Sequence, residues 1–285
     1  MGEPLVAVVT GASRGAGRGI AIALGTYGCT VYVTGRSASV GDARLPGTIY
    51  ETAEAVTAAG GRGIAVRVDH ADDDQVRALF AQVRKEQGRL DILVNNACAV
   101  HDNLVSPGRF WEKPIEIGDM INVGVRSGFA ATHIAAPLLL EASRALVVFT
   151  SSSGSVHYML NPAYGAHKAG IDKLAADMGF EFRGTNVAAL SIWMGGLLTD
   201  RVKEHFAADP AKYAHMEGRM ETPEFTGHII WALMGDPDLM AMSGQTVIGA
   251  EMAEKYGIHD AGGTQPPSCR ATHGDPRIQQ PHVIQ

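Results

Sequence analysis

Short runs of β-branched and other apolar residues alternate along the chain with longer segments in which apolar residues recur every three to four positions. The short runs predict seven strands, at 5–10, 30–34, 63–68, 91–95, 145–150, 187–192 and 245–248. The longer segments predict helices at 16–27, 47–59, 73–87, 115–142, 162–183, 200–219 and 223–235, the fourth beginning after Pro114 and being the longest. This alternation is typical of βαβ units, so we predict an α/β fold with a doubly wound, seven-stranded parallel sheet and helices on both faces.

The alternation continues without a linker, which predicts one domain over residues 1–261, and 285 residues are enough for a single large α/β domain. From 262 to 285 the pattern ends. Four prolines occur there among Gln, Ser, Thr and Gly, and neither the strand period nor the helix period continues. We predict a polar, Pro-rich C-terminal tail.

Charge and composition argue against several kinds of partner. Lys plus Arg number 24 against 30 Asp plus Glu, and the net charge of −6 includes no basic block, so we expect no nucleic-acid partner. The longest apolar stretch, 129–140, is interrupted by His133 and Pro137 and falls short of the ~20 residues that span a bilayer. Three scattered cysteines form no metal-binding cluster and suit free thiols in a reducing compartment. We expect a cytoplasmic protein with no membrane partner, no secretory signal and no metal site.

A glycine-rich turn separates the first predicted strand from the first helix, where residues 10–20 read TGASRGAGRGI. Gly11, Gly15 and Gly17 would let the backbone turn sharply and approach a pyrophosphate, and the following helix offers free N–H groups to an anion. Glycines alone are weak evidence in a glycine-rich chain, but strand, loop and helix occur in the required order. We predict a dinucleotide-binding loop in a Rossmann-type domain, completed by Ser13, Arg14 and Ala16, and call residues 10–17 the phosphate loop.

The end of the second strand indicates which dinucleotide binds. An acidic residue there would bind the adenosine ribose 2′-OH of NAD(H), whereas an arginine accommodates the 2′-phosphate of NADP(H). The strand runs into Val-Thr-Gly-Arg-Ser with no acid, and Arg36 and Arg14 both stand where a guanidinium could bind the phosphate. The sequence favours NADP(H) over NAD(H).

Tyr164 and Lys168 are spaced i, i+4 on a predicted helix and therefore share one face. A phenol ionises near pH 10, and a nearby ammonium makes it easier to ionise, so this pair could exchange a proton with a substrate. Hydroxyl groups precede the tyrosine in Ser151, Ser152 and Ser153, and chemistry alone does not choose among them.

These motifs, in this order, resemble the short-chain dehydrogenase/reductase family over roughly residues 5–260. The motifs that carry the resemblance are the Gly-x-x-x-Gly-x-Gly turn led by Thr10, Asp69 after the third strand, Asn95-Asn96-Ala97 after the fourth, Asn122 in the long helix, Ser151, and Tyr164-Gly-Ala-His-Lys168. The family's serine-to-tyrosine spacing of thirteen residues selects Ser151.

The resemblance implies hydride transfer between NADP(H) and a carbonyl or hydroxyl carbon. Tyr164 would protonate the carbonyl oxygen, Ser151 would hydrogen-bond it, Lys168 would tune Tyr164, and Asn122 would hold a water of a proton relay. The implied cofactor contacts outside the phosphate loop are Arg36, Asp69, Asn95, Ala97, Tyr164, Lys168, Gly195, Leu197 and Thr199. A homodimer or homotetramer is expected.

Two positions depart from the family pattern, since Cys98 replaces a glycine and Met194 replaces a proline. Both keep open a second interpretation, a nucleotide-binding sensor or scaffold without turnover. An enoyl reductase or epimerase on the same fold is a third. Aromatic residues and methionines in the loops 99–113, 154–163 and 193–222 favour an apolar ketone, aldehyde or secondary alcohol as substrate, although such residues also fill ordinary cores.

Overall fold

The computed structural model describes residues 3–216, 218–280 and 282–284. Its seven strands are β1 (Val6–Val9), β2 (Thr30–Gly35), β3 (Arg62–Arg67), β4 (Ile92–Asn95), β5 (Ala145–Ser151), β6 (Val187–Trp193) and β7 (Thr246–Ile248). They form one all-parallel sheet in the order β3-β2-β1-β4-β5-β6-β7. Every predicted strand is present, and the predicted Rossmann-type sheet is confirmed.

Helices cover both faces of this sheet. They are α1 (Gly15–Thr26), α2 (Ile49–Ala58), α3 (Asp73–Gln87), α4 (Ser127–Leu139), α5 (Pro162–Glu181), α6 (Asp200–Ala208), α7 (Pro210–Tyr213), α8 (Phe225–Gly235), α9 (Leu239–Met242), α10 (Gly249–Tyr256) and α11 (Arg270–His273). Successive strand side chains point to opposite faces. Ala7 and Val9 therefore pack in one core with α1, α2 and α8, while Val6 and Val8 pack in the other with α3, α4 and α5.

Local signals set the helix ends that matter for the cleft. Asn161 accepts a hydrogen bond from Ala163 N and is followed by Pro162 at the first helical position, so α5 begins there and Tyr164 lies in its first turn. On the other side of the sheet, α1 begins at Gly15, within the last residues of the phosphate loop.

Two predicted helices need correction. The segment 115–142 is not one helix: a 3₁₀ turn (Ile115–Gly118) and a π turn (Ile121–Arg126) precede α4, and Val123 and Gly124 are non-helical. Gly124 breaks the helix because it lets the His167 ring approach, and a Cβ there would lie 2.6 Å from His167 Nε2. The segment 200–219 divides at Pro210, which has no N–H to continue α6.

The sequence patterns also missed α9 and α10, which are short, and the turn of α11 inside the predicted tail. The division into a domain of residues 1–261 and a tail stays a prediction. None of the helices in the described part of the chain is both long and apolar enough to span a membrane.

The strand order reverses between β1 and β4, because β2 and β3 extend the sheet one way and β4 to β7 the other. In an open parallel sheet this switch point leaves a crevice at the carboxyl ends of the strands. The segments that follow β1, β2, β4, β5 and β6 converge there, and they carry most of the candidate site residues.

Candidate active site

The phosphate loop has the shape that a pyrophosphate requires. Gly11 and Gly15 have φ values of 65° and 55°, which glycine adopts without strain. A Cβ on Gly17 would lie 2.4 Å from Gly11 O and 2.5 Å from Asn96 Nδ2, so only glycine fits there. No side chain caps the N-terminus of α1 and no acid lies in its first turn, which leaves N–H groups for an anion.

Asn96, which sequence reasoning did not assign a role, fixes this loop from β4. Its Nδ2 donates to Thr10 O at 2.9 Å and to Gly11 O at 3.1 Å. The Thr10 hydroxyl in turn accepts from Asn96 N and Ala97 N, both at 2.9 Å. Ala97 lies directly against the loop, because a Cβ on Gly11 would be 2.7 Å from Ala97 Cα.

The side chain of Asn95, by contrast, is buried against α4, and its cofactor contact stays a prediction. Asn95 is the last residue of β4, and its Nδ2 donates to Thr132 Oγ1 of α4 at 2.9 Å. Neighbouring strand residues point in opposite directions, so Asn96 faces the phosphate loop while Asn95 faces the helix layer.

Several arginine side chains lie close together at the end of the crevice that is predicted to bind adenosine. Arg14 donates to Ser37 Oγ at 2.9 Å and to the carbonyls of Pro46 and Gly47. Burial lowers the pKa of Arg14, and the nearby Arg201 and Arg36 lower it further. An anion placed among these guanidinium groups would relieve their repulsion, which fits a 2′-phosphate.

Asp69 lies two residues beyond β3 and is partly exposed, with Oδ1 accepting from Ala71 N at 3.0 Å. Its carboxylate and the Arg36 guanidinium act on the buried imidazole of His70 with opposite signs. Burial is the larger effect and lowers the pKa of His70 to about 4. Asp69 and Arg36 therefore both lie within charge range of His70.

The predicted nicotinamide contacts lie in the 194–199 loop after β6. Thr199 reaches the phosphate loop, since a Cβ on Gly15 would be 3.6 Å from Thr199 Cγ2. Leu197 forms an isolated parallel bridge with Glu221, and Gly195 N donates to Glu221 Oε1 at 3.0 Å. Glu221 was missed by sequence reasoning, because nothing in the chain pattern links it to a loop about 25 residues earlier.

The reacting group predicted from sequence is assembled with one change. Tyr164 OH lies 2.9 Å from Ser152 Oγ. Lys168 Nζ lies 5.6 Å from the centroid of the Tyr164 ring and donates to Thr150 O at 3.0 Å. Lys168 is buried, so its charge acts on the tyrosine in surroundings that screen it weakly.

Ser151 is the residue that changes. Its side chain is completely buried, and its hydroxyl lies 3.4 Å from the backbone oxygen of Lys168. Ser151 ends β5 with its hydroxyl toward the backbone of Lys168, whereas the hydroxyl of Ser152, the next residue, faces Tyr164 in the first turn of α5. The geometry therefore places Ser152, rather than the predicted Ser151, beside the Tyr164 hydroxyl.

Asn122 lies on the π turn and is exposed, without a side-chain hydrogen bond to any residue in the described ranges. The turn packs on α5, where a Cβ on Gly170 would lie 3.0 Å from Val125 Cγ2. The structure brings Asn122 to the helix of Tyr164 but does not join it to Lys168, which donates to Thr150 instead.

Cys98 turns toward α5, with Sγ 3.8 Å from His167 Nδ1. Burial, and secondarily the neighbouring Lys168, lowers the pKa of His167 to about 3, while burial raises the pKa of the Cys98 thiol. Both groups are neutral near pH 7. Cys98 also packs beside Leu104 and Tyr164 and so helps to form the apolar floor next to the tyrosine.

The tail packs on the turn that follows Ser152, which the sequence pattern did not predict. Ser153 Oγ lies 3.1 Å from His157 Nε2 and 3.1 Å from His273 Nδ1, and the two imidazole rings are 4.9 Å apart. Cys269 packs against a cluster formed by Trp193 and Ile248. Residues 269–273 therefore cover the turn that follows Ser152.

The aromatic residues of the loops that the sequence associates with the substrate are only partly exposed. Phe110, Trp111 and Tyr158 are exposed around the cleft. Trp193 is not a wall residue, because it is completely buried and its Nε1 donates to Asp172 Oδ2 at 2.8 Å.

Comparison with known proteins gives a consistent result. A family model described as short chain dehydrogenase matches residues 5–210. The chain is 39% identical over 269 residues to dehydrogenase/reductase SDR family member 1 of Homo sapiens, covering 90% of this chain and 83% of that protein. A crystal structure of a proposed dehydrogenase from Xanthomonas campestris has a TM-score of 0.77 at 29% identity and covers 92% of this chain and 94% of its own. A short chain dehydrogenase from Mycobacterium thermoresistibile, with a TM-score of 0.76 at 24% identity over 98% and 96%, supports the fold alone.

Proposed function

The chain belongs to the short-chain dehydrogenase/reductase family, whose members are oxidoreductases with a nicotinamide dinucleotide cofactor. From this premise we propose that it is an NADP(H)-dependent enzyme that acts on apolar ketones, aldehydes or secondary alcohols. The observation that carries the proposal is the 2.9 Å contact between Tyr164 OH and Ser152 Oγ, with Lys168 beside the ring and the glycine cradle of the phosphate loop across the crevice.

Different residues of this chain would bind the different parts of the cofactor and the substrate. The phosphate loop and the N-terminus of α1 would hold the pyrophosphate, Arg14 and Arg36 the 2′-phosphate, and the 194–199 loop the nicotinamide end. When bound, NADPH supplies a hydride from C4 of its nicotinamide. Ser152 donates a hydrogen bond to the substrate carbonyl oxygen and fixes its position against Tyr164.

Tyr164 then gives its hydroxyl proton to the same oxygen, so that a ketone or aldehyde, one hydride and one proton yield the alcohol. Lys168 lies beside this tyrosine, with its ammonium 5.6 Å from the ring centroid. In the oxidative direction Tyr164 accepts the alcohol proton. The apolar surroundings of Tyr164, which include Leu104, Ile117 and Met120, support an apolar substrate.

NADPH consumption by the purified protein with a panel of apolar ketones and aldehydes tests this proposal. Turnover that Tyr164→Phe lowers by about 10²–10⁴-fold, with NADP⁺ affinity retained, is the expected result. NADP⁺ binding without turnover across the panel would support the sensor or scaffold instead, and product analysis would reveal an enoyl reductase or epimerase.

We propose further that the enzyme is a cytoplasmic homodimer or homotetramer without nucleic-acid or membrane partners. The net charge of −6 and the lack of a basic block argue against a nucleic-acid partner. Light scattering of the purified protein distinguishes dimer from tetramer.

A further inference from the structure

The 194–199 loop receives little order from its own sequence. It contains no helix or strand, and Gly195 and Gly196 in its middle are both exposed. Met194 occupies the position where a proline would restrict the backbone. Glycine loses more conformational freedom on ordering than any other residue, so contacts from elsewhere have to hold this loop.

Glu221 supplies three of those contacts. Gly195 N donates to Glu221 Oε1 at 3.0 Å. On the main chain, Glu221 N donates to Gly196 O at 2.7 Å, and Leu198 N donates to Glu221 O at 2.8 Å. The side chain and backbone of one residue therefore hold three residues of the loop, Gly195, Gly196 and Leu198.

The neighbours of Glu221 are fixed in turn. Thr222 N donates to Asp260 Oδ2 at 2.7 Å, and the Thr222 hydroxyl also contacts that carboxylate. Pro223 packs on α1 so closely that a Cβ on Gly19 would lie 2.1 Å from the Pro223 carbonyl carbon. Residues 221–223 thus join the helix that carries the phosphate loop to the loop at the opposite end of the cofactor crevice.

The Glu221 carboxyl is in an unusual place for an acid. The residue is 1% exposed, and Oε2 has no hydrogen-bond partner within the part of the chain that the structure describes. Burial, with a smaller effect of Asp260, raises the pKa of Glu221 to about 7, although the bond from Gly195 N acts in the other direction. The contact is also tight, since a Cβ on Gly195 would lie 2.4 Å from Oε1.

We infer that Glu221 is a positioning residue, which holds the 194–199 loop in the conformation that receives the nicotinamide end of the cofactor. The inference rests on the proposed function for the identity of that cofactor. Amide hydrogen exchange in the cofactor-free protein follows the loop separately from catalysis.

The test compares Glu221→Ala with Glu221→Gln, whose amide oxygen can still accept from Gly195 N. Glu224→Gln, a nearby acid on the same segment, is the control. We expect Glu221→Ala to speed amide hydrogen exchange at Gly195 in the cofactor-free protein and to raise the NADP⁺ dissociation constant, each about tenfold, which is the effect of one hydrogen bond. Glu221→Gln and Glu224→Gln should stay within about threefold of wild type.

A double-mutant cycle with Gly195→Ala sharpens the test. The new methyl group presses on Oε1, so Gly195→Ala should weaken NADP⁺ binding in the wild-type background and do so less in the Glu221→Ala background. If Glu221→Ala does not fold, the test compares Gly195→Ala with the double variant Gly195→Ala, Glu221→Gln. Amide hydrogen exchange at Leu198 should then be faster than in the wild-type protein in both variants.

Unchanged exchange and unchanged NADP⁺ affinity in Glu221→Ala would overturn the inference. Equal losses in Glu221→Gln and Glu221→Ala would also overturn it, because the acceptor would then not be what matters. Failure of the proposed function appears differently, as absent carbonyl turnover in the wild-type protein, and leaves the exchange measurement to decide the role of Glu221.

Discussion

Around the phosphate loop the backbone is fixed by glycine contacts and by hydrogen bonds from neighbouring strands, whereas the substrate side is built from short turns that carry exposed apolar side chains. The side chains of Thr10 and Asn96 alone take part in five hydrogen bonds around the phosphate loop. On the other side, residues 102–118 form three separate 3₁₀ turns, and Phe110 and Trp111 are more than half exposed.

Under the proposed function, this difference follows from what each side binds. A pyrophosphate is recognised by N–H groups and close backbone approach, which tolerate few alternatives. A carbonyl substrate is distinguished by side chains on loops, and loops accept many sequences on the same scaffold. The contrast predicts that substitutions on the first side change cofactor affinity and stability, while those on the second change substrate kinetics.

After Tyr164→Phe, the largest loss of activity should come from the serine that faces Tyr164. Ser152→Ala should lower kcat/KM by about 10²–10³-fold, as expected for losing one donor to the reacting oxygen. Ser151→Ala should leave kcat/KM within about threefold of wild type, because its hydroxyl faces the backbone of Lys168. Steady-state NADPH oxidation measures both, and a larger loss in Ser151→Ala would contradict the geometry.

Glu221 lies between the two sides, and it should make stability depend on pH. Its folded-state pKa is raised from 4.5 to about 7, so the folded chain keeps a proton that the unfolded chain releases. The free energy of unfolding should therefore fall as pH rises from about 4.5 to about 7 and change no further above it, by at most about 3 kcal/mol. Urea denaturation at pH 5, 6, 7 and 8 checks this. Glu221→Gln should lack this part of the decline, and parallel curves for the two proteins would disprove the assignment.

On the cofactor side, Gly17→Ala should cost about 1–3 kcal/mol of stability through overpacking, and NADP⁺ affinity should fall with it. The added Cβ would meet Gly11 O and Asn96 Nδ2. Gly235→Ala is the matched control, because a Cβ there has nothing within 4 Å. Thermal unfolding and fluorescence titration measure the two effects, and a similar response at both positions would argue against a tight cradle.

The choice between the two dinucleotides should depend on Arg36. Arg36→Asp should reduce the ratio of NADPH to NADH activity by about tenfold or more, because it replaces an attractive charge at the 2′-phosphate with a repulsive one. Kinetics with each cofactor at a fixed carbonyl concentration measure the ratio. If it does not change, the NADP(H) preference has another source.

The smallest effect is expected in the tail. His273→Ala removes one hydrogen bond to Ser153, so the KM for the carbonyl substrate should rise about threefold while the KM for NADPH stays the same. His282→Ala, an exposed position on the same tail, is the control. If His273→Ala changed only the KM for NADPH, the tail would act on the cofactor and not on the carbonyl substrate, contrary to this prediction.

The sequence allowed the strands and the phosphate loop to be predicted because both depend on local pattern. β-branched runs mark buried parallel strands, and the order of strand, glycine turn and helix is readable within about 20 residues. The choice between Ser151 and Ser152 was not readable in this way. It depends on where β5 ends, and a shift of one residue reverses the direction of the side chain.

Contacts between distant segments were also beyond the sequence pattern. Glu221 and His273 act on loops that are far from them along the chain, and neither lies in a motif. The break of the predicted 115–142 helix at Gly124 has the same origin, since the ring that occupies the space of a side chain there belongs to His167 on α5.

The packing of α1 on α8 has a consequence for how the protein is made. Tyr27 at the end of α1 stacks on Trp231 and contacts His228, which lies 201 positions later in the chain. At a synthesis rate of about 5–20 residues per second, α1 waits about 10 to 40 s on the ribosome for this partner. The phosphate loop is among the first parts of the molecule to be translated, yet the helix that it opens is among the last to be fully packed.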